Sequence, residues 1–106
     1  MDIKVITKRP GEMPRSGWVE NSLKNLQNYV GGKIETKTIA EDMVVICNRE
    51  SCLAKLPFNC VICGHGFCGP IILCGVSGDE FASLPMEYQD VKRLFPGVWS
   101  DAVFWR

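Results

Sequence analysis

Residues Ile3–Thr7 place Ile3 and Val5 on one side and Lys4, Ile6 and Lys8 on the other, the period of two that an extended backbone imposes, so they predict a strand. The next stretch, Arg9–Gly17, holds two Pro and two Gly, which remove backbone donors and favour turns, and it is expected to be a mobile loop. From Asn21 the period changes. Val19, Leu23, Leu26 and Val30 recur at i, i+4, i+7 and i+11, one apolar face of a helix, with Asn21 as its expected N-cap and Gly31-Gly32 as its left-handed stop. Lys33–Ala40 alternates again and predicts a strand with one solvated face. Glu41-Asp42 turns it into Met43–Cys47, apolar on both faces, which predicts a central strand covered on two sides.

A polar loop, Asn48–Ser51, then leads into Cys52–Leu56, expected to return as the second arm of a hairpin. After Pro57 a Cys- and Gly-rich segment runs to Gly69 and reads as a breaker, and Ile71–Val76 is another strand apolar on both sides, turned by Ser77–Glu80. Ser83-Leu84-Pro85 predicts an N-cap with proline in the first helical turn, followed by Leu84, Tyr88, Val91 and Phe95 at helical spacing until Pro96-Gly97. The fold class is α+β, with a small mixed or antiparallel sheet of about five strands packed with two helices. Residues 1–106 are expected to form a single domain. The tail, 97–106, carries Trp99, Phe104 and Trp105, too apolar for a free end, and is expected to dock on it.

Composition narrows the function classes. The chain has 106 residues, 46% hydrophobic, which excludes bulk disorder. Its longest apolar runs, Met43–Cys47 and Pro70–Cys74, fall far short of the ~20 residues that span a bilayer. A basic-then-apolar signal layout is missing at Met1-Asp2-Ile3-Lys4, so the expected address is cytoplasmic, with no membrane partner. Twelve Lys+Arg balance twelve Asp+Glu, which argues against a nucleic-acid binder that works by neutralising phosphates.

Six cysteines are the main chemical signal. Cys60, Cys63, His65 and Cys68 have the donor types of a zinc site of three thiolates and one imidazole, although all four lie within nine residues and would staple little chain. Burial as small hydrophobes suits Cys47, Cys63 and Cys74, and Cys47 and Cys52 flank a loop that could bring them face to face as a disulfide. A Cys-dependent enzyme would need one thiol activated by His65, close in sequence to Cys63 and Cys68. No phosphate-binding glycine loop, G-x-S-x-G elbow or H-E-x-x-H motif occurs.

Several segments carry a family resemblance. They are Asn21-Ser22-Leu23 with Leu26-Gln27 and Val30-Gly31-Gly32, the Val44–Asn48 run, and the Leu56-Pro57 step to Asn59. Gly69-Pro70-Ile71-Ile72 with Gly75, and Phe81 with Ser83-Leu84, complete the set. Over about residues 1–96 the chain resembles the family of domains of unknown function numbered 3846. Members of that family occur in Gram-positive bacteria, their phages and mobile elements, so the resemblance implies an accessory role in such an element and no particular reaction. Cys60 stands where the family tends to place a basic residue.

These readings predict a non-enzymatic binding module that acts by contact with a host protein or small ligand, a role that extends to anti-defence. The expected anchors are Trp18, Phe58, Asn59, His65, Trp99 and Trp105. No cofactor is expected in that reading. The alternatives are a zinc module on Cys60, Cys63, His65 and Cys68, and a Cys-dependent enzyme. Exposed sheet edges would also permit a homodimer.

Overall fold

A computed structural model describes residues 1–51 and 53–99 of the chain. Strand β1, Asp2–Lys8, pairs antiparallel with β2, Arg15–Glu20. Helix α1, Leu23–Val30, leads to β3, Ile34–Ala40, which forms a hairpin with β4, Met43–Asn48. Strands β5, Phe58–Ile62, and β6, His65–Cys68, form a separate two-stranded sheet. Strand β7, Ile71–Ser77, enters the main sheet between β1 and β4 and also pairs with the short β8, Glu80–Ala82. Helix α2, Tyr88–Leu94, and a 3-10 turn, Pro96–Trp99, follow. The main sheet therefore has the order β2-β1-β7-β4-β3, with β8 attached to β7, and every described pair is antiparallel.

Alternation along the central strands sorts the core into two layers. Ile3, Val5, Val44, Ile46, Ile72 and Cys74 face α1, where Leu26 and Val30 meet them. On the opposite side Ile6, Val45, Ile71 and Leu73 face Cys60, Ile62 and Phe67 of the β5–β6 hairpin, with Val91 and Val98 packed alongside. Strands β4 and β7 are thus covered on both sides, as their continuous apolar runs predicted.

The ends of α1 follow local chemistry. Ser22, not Asn21, is the N-cap, and its hydroxyl accepts from the Asn25 N–H at 3.2 Å. Gly31 closes the helix at φ 85°, and Asn48 Nδ2 donates to the Val30 carbonyl at 3.2 Å, tying the helix end to β4. Leu23, although in phase with Leu26 and Val30, turns to solvent.

The α+β class holds, while several elements differ from the sequence pattern. Of the five expected strands, those at β1, β3, β4 and β7 are present. Of the described part of the fifth, residues 53–55 form turns and Leu56 lies in no strand, with the Ala54 N–H donating to the Glu50 carbonyl and the Leu56 N–H to the Ser51 carbonyl. The expected mobile loop shrinks to residues 9–14, because β2 begins at Arg15. The breaker segment is the β5–β6 hairpin, and its tip is a two-residue turn in which Cys63 and Gly64 both have positive φ.

The last helix starts at Tyr88 behind Glu87, since the Ser83 hydroxyl is taken by the Lys4 N–H at 2.8 Å. Of the tail, Val98 is buried and Trp99 packs on the core beside Tyr88, at 5.2 Å between ring centres, and residues 100–106 lie outside the described residues. Gly97 makes that docking feasible, because a Cβ there would run into the Val61 carbonyl oxygen of β5. Phe104 and Trp105 lie outside the described residues.

Candidate functional site

The expected anchors separate into a surface set and a structural set. Trp18 lies on β2, directly across from Lys4 of β1, and is 65% exposed. Phe58 is about half exposed at the start of β5, and His65 is exposed at the start of β6. Asn59 is buried. Its Oδ1 accepts from Lys8 Nζ at 2.7 Å, and its Nδ2 donates to the Lys8 and Gly69 carbonyls, so it fastens the hairpin to the sheet and faces no partner. Trp99 is half-buried and its indole N–H donates to the Tyr88 hydroxyl at 3.2 Å, which also makes it a packing residue. Trp105 lies outside the described residues. Asn59 and Trp99 are therefore corrected from surface anchors to structural ones.

The four candidate zinc ligands are not brought together. Cys60 turns into the core beside Ile62 and Phe67, whereas His65 and Cys63 are exposed at the hairpin tip. Cys63 lies near the Ile39 carbonyl, at 3.8 Å from its sulfur, and Cys68 pairs with Phe58 at the far end of the hairpin. Among the described residues no three His, Cys, Asp or Glu side chains form a group that could hold a metal ion. Cys63 is also not the buried hydrophobe that its apolar neighbours suggested.

The described cysteines, Cys47, Cys60, Cys63, Cys68 and Cys74, are free thiols, and Cys52 lies outside the described residues, as does the Cys47–Cys52 pairing. Burial pushes the Cys60 thiol up to about 11 and that of Cys74 to about 12, and it raises Cys47, where Glu35 adds to the effect. Activation of a nucleophilic thiol requires the opposite shift.

The structure also assembles residues that the sequence pattern did not single out. Thr7 and Arg15 face each other across β1 and β2, and Arg9 lies over the Tyr29 ring of α1 at 4.8 Å from its centre. Two arginines flanking the Pro/Gly loop were the available signal, and only the β2 register places them on one face. Among the described residues no helix is long and apolar enough to cross a membrane.

A family model described as domain of unknown function DUF3846 matches residues 3–96. No curated protein and no solved structure matches the chain.

Proposed function

The chain belongs to the DUF3846 family, and from that premise we propose that it is a non-enzymatic binding module that engages a partner protein along the outer edge of β2, with Trp18 as the anchor. The observation that carries this reading is a tryptophan left 65% exposed on a strand that ends the sheet among the described residues. A strand at a sheet edge offers a row of backbone N–H and C=O groups to an incoming extended segment, and a neighbouring aromatic supplies the buried contact that gives such pairing its affinity. Lys4, opposite Trp18, and Glu87, 3.9 Å from the Lys4 amine, give the Trp18 surface a polar border. The expected setting of such a domain, a phage or mobile element, makes a protein of the bacterial host the proposed partner.

The test compares the chain with Trp18→Ala in quantitative capture from host lysate, after thermal unfolding has verified that both fold alike. The expected result is one or a few proteins enriched by the unsubstituted chain and reduced at least about tenfold by the substitution, the effect of losing an interface hot spot. Identical retained sets would overturn the reading. Sedimentation of both chains covers the remaining occupant: a dimer that Trp18→Ala dissociates would identify the partner as a second copy of this chain.

A further inference from the structure

We propose that the cleft between the β1–β2 loop and α1 is a binding site for a small phosphate monoester. The loop is shaped by a tight turn in which the Glu12 N–H donates to the Arg9 carbonyl at 3.1 Å. Pro10 and Gly11 are its central residues, and Gly11 has φ 76°, the pairing that a type II turn requires. This turn folds Arg9 back over Tyr29 on α1. The floor comes from the sheet, where Thr7 and Arg15 are cross-strand partners on the side of β1 that faces α1, one step beyond the apolar row of Ile3 and Val5. Thr7, Arg9, Glu12, Met13, Arg15 and Tyr29 thus enclose an open cavity of about 220 Å³.

The chemistry of the walls selects the ligand. Two arginines line one cavity, and among the described residues neither forms an ion pair with a carboxylate. Guanidinium presents paired N–H donors in the geometry that a phosphate accepts, and the Thr7 and Tyr29 hydroxyls can add further donors. Glu12 lies in the same wall and would repel a bare anion of high charge. A ligand that carries hydroxyl donors beside its phosphate turns that carboxylate into an acceptor site. An open cavity of about 220 Å³ has room for a phosphate and one small sugar-sized group. This inference stands apart from the Trp18 reading: Thr7 and Arg15 lie on the α1 side of the β1–β2 ladder, and Trp18 projects from the other.

Isothermal titration of the full chain with ribose 5-phosphate, inorganic phosphate and ribose at low ionic strength tests the assignment. Ribose 5-phosphate is expected to bind saturably and more tightly than phosphate, and ribose is expected not to bind. Arg9→Gln and Arg15→Gln should each weaken the ester about tenfold or more, as loss of a charge-assisted hydrogen bond does, while Lys92→Gln, on α2 across the sheet from the cleft, leaves it unchanged. Amide resonances of Thr7, Arg15 and Tyr29 should shift on titration. The proposal is overturned if no saturable binding occurs at millimolar ester, if both arginine variants bind as the parent does while folding normally, or if phosphate alone binds as tightly as the ester. A single-stranded oligonucleotide that displaced the ester at lower concentration would equally overturn it, since it would make the arginines part of a nucleic-acid surface.

Discussion

Lys8 and Asn59 hold each other from both ends: Lys8 Nζ donates to Asn59 Oδ1 at 2.7 Å, and Asn59 Nδ2 donates to the Lys8 carbonyl at 2.9 Å. Both residues are buried, Lys8 at 4% and Asn59 at 1% exposure, and the amide also bonds the Gly69 carbonyl. One asparagine therefore joins β1, β5 and the turn after β6, and it is the only hydrogen-bond acceptor for the amine among the described residues.

Asn59→Ala is expected to cost about 3 kcal/mol, because it leaves a buried amine without its acceptor and takes a donor from two carbonyls. Lys8→Met should cost less, since it removes the buried charge and leaves one neutral acceptor, Asn59 Oδ1, without its donor. The double substitution should cost less than the sum of the two, and denaturant unfolding of all four chains measures that coupling. Strict additivity would show that the two side chains do not depend on each other.

This pair also explains part of what the sequence concealed. The strands at β1, β3, β4 and β7 were legible because each satisfies its own alternation or runs apolar through the middle of the sheet. The β5–β6 hairpin was not legible, because two of its core-facing positions are Cys60 and Asn59, which count little or not at all as apolar, and Gly64, Gly66 and Gly69 lower any strand reading. Its turn uses Cys63 where asparagine is usual, so even the hairpin signal was missing. Strand β2 was hidden by Pro14, Ser16 and Gly17, and its pairing with β1 is a long-range fact. The same reason hid the cleft, whose residues come from two strands, a loop and a helix. Trp18 and Phe58 were legible as candidate anchors because large aromatics in polar surroundings stand out at any secondary structure.

Two glycines should respond in opposite directions to alanine. Gly97→Ala would drive its Cβ into the Val61 backbone, which cannot rotate away as a side chain could, and a loss of about 3 kcal/mol is expected. Gly17 on β2 has open space around it, and its φ is not positive. Gly17→Ala should be neutral or stabilising by up to about 1 kcal/mol through the unfolded chain. Thermal unfolding of both variants decides; equal effects would mean that the 3-10 turn does not rest on β5.

The hairpin tip separates a zinc staple from ordinary turn chemistry by the sign of a stability change. Cys63 has φ 51°, a conformation that asparagine tolerates better, so Cys63→Asn is expected to stabilise by roughly 0.5 kcal/mol. His65→Ala should lie within about 0.5 kcal/mol of the parent, as exposed positions do. Loss of a zinc ligand would instead be strongly destabilising in both variants and would release metal. Elemental analysis of protein prepared without chelator, beside the two unfolding curves, gives the answer.

The buried thiols make stability fall at high pH. Cys60 and Cys74 titrate in the fold near 11 and 12, above the ordinary 9.0, because burial disfavours the thiolate. The unfolded chain therefore loses these protons first. The number of protons bound by the unfolded state drops below that of the native state, and unfolding becomes easier as pH rises. The stability held by these two groups is fully present below pH 9 and is lost progressively between 9 and 12. Denaturant midpoints across that range should decline, and Cys60→Ala, measured against its own midpoint at pH 8, should show a shallower decline. Alkylation at neutral pH should follow the same burial. Among the described cysteines, exposed Cys63 should react first, and Cys47, Cys60 and Cys74 only when the chain opens. Fast modification of Cys60 in the native state would mean that the hairpin lifts from the sheet far more readily than the Lys8–Asn59 bond and its packing against Val45 and Leu73 allow.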